Sequence, residues 1–175
     1  MKRILCCLAV LTMLVACGPN RSELVQKIED CEREMSMVDM AADDTKPHEM
    51  IALYRQFVNH FPNDSLAPVY MSRIADISIN IGKTEQAVDV LDSIIALYPD
   101  YGDLAGCQFM KGYAYEIGGQ YDMAREAYTE FVETYPDHYL AADMKKMLPY
   151  IGLSPEEMFE AIIATATDTN LTAQQ

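Results

Sequence analysis

The sequence predicts an all-α fold, a stack of antiparallel helix pairs, and three observations carry that prediction. The aromatic–proline pairs Phe61-Pro62, Tyr98-Pro99 and Tyr135-Pro136 fall 37 residues apart, twice in succession, and an internal period of that size marks a stacked repeat. Small residues echo at the same interval: Ala75 with Gly112, Gly82 with Gly119, Ala87 with Ala124. Apolar residues return at helical spacing, Leu91 and Ile94 in one copy answering Tyr128 and Phe131 in the next. Stacked helical pairs present surface and seldom build a catalytic pocket by themselves.

Each echoed position has a physical reading. Ala75 and Gly112 are small where the two helices of a pair cross closely, and Ala87 and Ala124 give the second helix the same approach. Gly82 and Gly119 close the turn after the first helix with a left-handed residue. Pro99 and Pro136 stop the second helix, because the residue before a proline is pushed out of the helical region.

Read from Gly112, the chain runs Gly112-x-x-Tyr115, Gly119-x-Tyr121, Ala124-x-x-x-Tyr128-x-x-Phe131, Pro136. This resembles a tetratricopeptide repeat, over 103–136 and 66–99 and, in register, over 47–62. The resemblance implies a right-handed superhelical stack whose first helices line a concave groove. The period is 37 residues here against about 34 in that family, the extra residues falling in inter-repeat loops such as 100–103. Lys111 stands at an apolar position, and Tyr-Pro replaces the more usual Asp-Pro. That variant resembles bacterial envelope members such as the lipoprotein of the outer-membrane barrel-assembly machine.

In chain order, 1–16 reads as a leader. Met1-Lys2-Arg3 precedes an uncharged stretch from Ile4 to Ala16, too short to span a bilayer. Leu14-Val15-Ala16-Cys17-Gly18 resembles the lipobox of bacterial lipoproteins, which implies that Cys17 receives a diacylglyceryl group and becomes the N-terminus. The competing reading is an ordinary secretory signal with an incidental cysteine. Gly18 after that cysteine, rather than aspartate, implies the outer membrane, with periplasmic or outward exposure left open. Residues 17–20 are then a lipidated tether and 21–164 the helical domain.

Within that domain, 21–62 is a degenerate opening repeat. Leu24, Ile28, Cys31, Met35 and Val38 form a heptad-like seam on a helix from Arg21 to about Ala42. The seam either packs on the helix at 47–61, which carries Met50, Leu53, Tyr54, Phe57 and Phe61 on one face, or builds an oligomer; the packed monomer is the preferred reading. An oligomerising coiled coil ahead of such repeats has a precedent in the Tol–Pal-associated periplasmic family. Helices at 66–81 and 84–97 make one repeat, those at 103–117 and 121–134 the next. A partial repeat and cap occupy 139–164. Pro149 falls at the register position of Ala75 and Gly112, so no further full repeat continues. Ser154-Pro155-Glu156-Glu157 starts a helix with an N-cap, a first-turn proline and a capping-box glutamate. Met158, Phe159, Ile162 and Ile163 are its apolar face, expected to cover the end of the stack. The tail at 165–175 is expected to be disordered.

Composition narrows the function. Lys2 and Arg3 leave with the leader, so 11 basic side chains face 27 acidic ones, a net charge of −16. Nucleic acid is excluded as a partner, since phosphates demand a basic patch. Cys31 and Cys107 remain after the leader and Cys17 are set aside; they lie on helices separated by an intervening pair, too far apart for a disulfide, and are expected as free thiols. His48, His60 and His138 lack companions at ligand spacing, so no metal site is expected. Asp43-Asp44 and Glu156-Glu157 suit loop solvation and helix capping better than acid–base chemistry. Met35, Met50, Met71 and Met158 fall on apolar stripes as core fillers. No nucleophile constellation or phosphate loop is present, and neither an enzyme nor a cofactor is expected.

What remains is binding. The resemblance implies groove contacts at Val69, Ser72, Asp76, Ile79 and Asn80 in one repeat, and at Gly106, Phe109, Tyr113, Glu116 and Ile117 in the next. Asp76 and Glu116 exclude the relatives that clamp a terminal carboxylate with basic residues. Phe109 and Tyr113, one turn apart, either grip an apolar side chain of a peptide or pack on a neighbouring repeat. The expectation is a lipid-anchored envelope scaffold holding a protein or peptide partner, in outer-membrane assembly or envelope organisation. The alternatives are a structural oligomer through the N-terminal helix and an accessory to an envelope enzyme or transport system. Whether the C-terminal segment itself fills the groove stays open.

Overall fold

A computed structural model describes residues 18–35 and 45–172. Cys17, Val38 and Asp43-Asp44 lie outside the described residues, as do the leader and the end of the tail. Asn20 starts the first helix: its Oδ1 accepts from the Ser22 amide at 3.0 Å, and its carbonyl accepts from the Leu24 amide at 3.0 Å. From there run α1 (Arg21–Met35), α2 (Thr45–His60), α3 (Leu66–Asn80), α4 (Thr84–Leu97), α5 (Leu104–Ile117), α6 (Tyr121–Thr134) and α7 (Ala141–Met147). A 3-10 turn, Leu148–Tyr150, leads to α8 (Pro155–Thr172). From α1 to α7 each helix packs on the next, and α3 also touches α5, as stacked helix pairs require. The helices expected from 66 to 134 end within a residue of the observed bounds.

The core is built repeat by repeat. Leu24, Ile28 and Cys31 of α1 are buried against Met50, Ile51, Tyr54 and Phe57 of α2 and Tyr70 and Ile74 of α3. The described part of the heptad-like seam therefore packs within the chain, with Met35 partly buried at its end. Tyr54 and Tyr70 stack at 5.1 Å, and Tyr70 meets Phe57 edge-on at 4.8 Å. The Tyr54 hydroxyl donates to Glu32 Oε1 at 2.5 Å, so its polar end is not orphaned. A second cluster joins Met71, Ala75 and Ile79 of α3 to Ala87, Leu91 and Ile94 of α4 and Cys107 of α5. The two cysteines are free and buried in separate clusters. Burial pushes the Cys107 thiol up to about 12, keeping it protonated and inert.

The echoed glycines do what their positions require. Gly82 and Gly119 both have φ +72°. Gly82 N donates to the Ile79 carbonyl and Lys83 N to that of Ser78; Gly119 and Gln120 repeat the pattern on Glu116 and Tyr115. These are paired Schellman closures that satisfy the last carbonyls of α3 and α5. A Cβ on Gly112 would sit 2.5 Å from the Tyr128 ring, so α5 and α6 touch at the predicted small-residue crossing. Lys111 is reconciled with its apolar register by a 2.8 Å ion pair to Asp92 of α4.

Two expectations about the C-terminus need correction. The end of the array is covered by α7 and the turn after it: Ile151 is buried with Ala124 and Tyr128, flanked by Met144 and Leu148. Arg125 Nη1 holds the Ile151 carbonyl at 2.8 Å. Helix α8 does not provide the cap; Phe159 is 65% exposed, with Ile162 and Ile163 also exposed. The reason is Pro149, which halts α7 after two turns and lets the short turn reach the uncovered face first. The segment expected to be disordered from Thr165 continues α8 to Thr172. Alanines and the absence of Gly or Pro before that point let the helix propagate once its start is capped.

That start is the capping box read from the sequence. Glu157 N donates to Ser154 Oγ at 3.3 Å, and Ser154 N donates to Glu157 Oε2 at 2.8 Å.

Candidate functional site

The first helices of the two full repeats, α3 and α5, carry the predicted contact residues, and the structure divides these into packed and open groups. Ser72 is half-buried, its hydroxyl facing the Tyr101 hydroxyl and the Cys107 thiol, so it joins the repeats rather than facing outward. Asp76 is half-buried too. Burial raises its carboxyl above the usual range, Asp103 adds to the rise, and Arg73 opposes it. Asn80 is exposed at the last turn of α3, its Nδ2 donating to the Asp76 carbonyl at 2.9 Å. Val69 is half-buried and Ile79 buried.

On α5, Phe109 packs inward. Its ring lies 5.3 Å from Tyr128 and 5.4 Å from Phe131, both on α6. Phe109 thus packs within its own repeat rather than on a neighbouring one, because the Gly112 crossing draws the α6 aromatic rings against that turn. Gly106 lies against the Asp103 side chain. Glu116 accepts from the Tyr128 hydroxyl at 2.9 Å. Burial and that carboxylate both push the Tyr128 phenol up, so it stays a donor. Tyr113 is 39% exposed and Ile117 is 56% exposed. The predicted face therefore offers Asn80, Tyr113 and Ile117 outward, with Asp76 and Glu116 as partly covered carboxylates between them.

The sequence reading missed a second open surface. Ile117, Tyr121, Met147, Tyr150, Leu153 and Met158 line a cleft of about 530 Å³ where α5, α6 and the C-terminal turn meet. Gly152, at φ +82°, lets the chain pass over the Tyr121 ring, where a Cβ would lie 2.7 Å from it. Pro149 was the available signal: it shortens α7, so the end of α5 and the start of α6 face a turn instead of a full helix.

The tetratricopeptide repeat family matches residues 71–101 and 107–138, the spans from within α3 and α5 through the loops after α4 and α6. These two segments are tetratricopeptide repeats. No curated protein matches the chain. Tetratricopeptide repeats serve as protein-interaction scaffolds, and Asn80, Tyr113 and Ile117 stand open on such a helical face. Among the described residues no helix is long and apolar enough to cross a membrane.

Proposed function

We propose that this chain is a lipid-anchored scaffold of the bacterial envelope, held at Cys17 and binding a protein partner on the outward face of its tetratricopeptide repeats. The observation that carries the binding part is the exposure of Tyr113 and Ile117, one helical turn apart on α5, beside Phe109, Tyr128 and Phe131 that pack against one another. Two such side chains on a rigid helix grip an apolar residue at small entropic cost. Asp76, Glu116 and the acidic balance of the chain favour a partner with basic or polar residues around that anchor. The anchoring part is supported by the lipobox-like Leu14–Gly18 segment behind a basic start. Two or three acyl chains hold such a domain firmly, each buried methylene contributing about 0.8 kcal/mol.

Crosslinking in intact envelopes followed by mass spectrometry tests the binding part. Tyr113→Ala with Ile117→Ala is expected to lose the captured partner while leaving the thermal midpoint within a few degrees. An unchanged set of partners would discard this face as the binding surface. Palmitate labelling is expected to vanish in Cys17→Ser.

A further inference from the structure

We infer that the repeat domain has one fixed orientation on the membrane, with the edge formed by its aromatic–proline loops turned toward a zwitterionic bilayer surface. This rests on lipidation at Cys17 and adds to it a surface and its occupant. Only Gly18, Pro19 and Asn20 separate Cys17 from α1. Asn20 already caps the helix through Ser22, and Pro19 stiffens what is left. At most about 3.6 Å per residue, the reach from Cys17 to Asn20 is about 11 Å.

The helix start is also pinned. Arg21 grips Asp64 with two hydrogen bonds, Nε to Oδ2 at 2.5 Å and Nη2 to Oδ1 at 3.0 Å, and lies 5.9 Å over the Phe57 ring. The lipid is therefore attached, through a short stiff link, to the loop that follows Phe61-Pro62.

Antiparallel stacking puts all loops of that class on one edge. The 63–68 and 97–102 segments line a common cleft, and the Tyr98 hydroxyl donates to the Pro62 carbonyl at 2.8 Å. The loop after α6 follows by the same alternation of direction. This edge exposes Leu97, 68% open, and Tyr139, 80% open, an aliphatic and an amphipathic aromatic side chain that suit the headgroup boundary. The other edge, where the Gly82-Lys83 and Gly118–Gln120 turns meet, lies one helix length away, about 22 Å for the 15 residues of α3.

Among the described residues Arg21 is the lysine- or arginine-type cation of the facing edge, against Asp64, Asp100, Asp103 and Asp137. That balance disfavours an anionic surface. Beyond a Debye length of about 8 Å at physiological salt the repulsion is screened, so it selects the lipid without lifting the edge off a neutral one.

The chain contains no tryptophan, so Leu97→Trp, Tyr139→Trp and Lys83→Trp each give a single reporter. The full lipidated protein is reconstituted into phosphatidylcholine vesicles with brominated acyl chains. Quenching at positions 97 and 139 is expected to be several-fold that at 83, and to weaken when phosphatidylglycerol is added. Arg21→Ala is expected to reduce the contrast while the protein still sediments with vesicles. Equal quenching at all three positions in a protein that sediments overturns the orientation alone. A Cys17→Ser chain that sediments as well as the parent overturns the lipid attachment, and the orientation falls with it.

Discussion

Asp76 shows how a single register position acquires a measurable property. The sequence places it on the first helix of a repeat, and packing then half-buries its carboxylate beside Asp103. Its folded pKa lies above the ordinary value of 3.8, so the unfolded chain gives up that proton first as pH rises. Stability contributed by this group is full below the ordinary carboxylate range, falls as pH climbs to the raised folded value, and then levels off. Asp76→Asn is therefore expected to raise the thermal midpoint at pH 7, with the gain closing as the pH drops below 4. Melts of both proteins across that window check it; equal midpoints at pH 7 would show the carboxylate to be well solvated. Phe109 marks where residue-level reading stopped short. Its spacing from Tyr113 shows that two aromatic residues share a helical face, but that face is wide enough to be half core and half surface. The α6 rings, brought in by Gly112, decided which half Phe109 occupies.

The helices themselves were legible because their ends are chemically marked. Schellman glycines, loop prolines and the Ser154/Glu157 box act within a few residues, so their effect does not wait for tertiary contacts. Helix α8 is the clearest case, since it starts where the box says and has little packing to hold it. Ser154→Ala is expected to fray its first turn, with amide exchange there rising roughly fivefold for one lost cap. The thermal midpoint of the repeats should stay in place, and hydrogen exchange by mass spectrometry reads both. A drop in the global midpoint would mean that α8 packs on the array after all. The opposite end of α8 was illegible for a related reason: polar, small residues satisfy a disordered chain and a helix equally, and helix propagation from a good cap settled it.

At the scale of the molecule, the stack is held by nearest neighbours, each pair of helices burying the face the previous pair leaves open. The terminal cover is then worth more than its length suggests. Ending the chain after Leu153 is expected to leave the thermal midpoint within a few degrees, because α8 contributes little to the core. Ending it after Leu140 removes Ile151 from Tyr128 along with its Met144 and Leu148 flank. Uncovering two or three such side chains, at about 1.5–3 kcal/mol each, should lower the midpoint by roughly 10–30 °C. Calorimetry on the two truncations distinguishes α7 with its turn from α8 as the cap.

The 37-residue period by itself determined the helix pairs, their order, the positions of close approach and the point where the array ends, because a stacked repeat reuses one set of local signals. Tertiary structure decided what the period leaves free. It packed Leu24, Ile28 and Cys31 of α1 against α2 and α3, turned Phe109 inward and Tyr113 outward, and placed the cap on α7 and the Ile151 turn. Each of these is a choice between two surfaces of similar apolarity. Proximity after folding, and not side-chain character, selects between such surfaces.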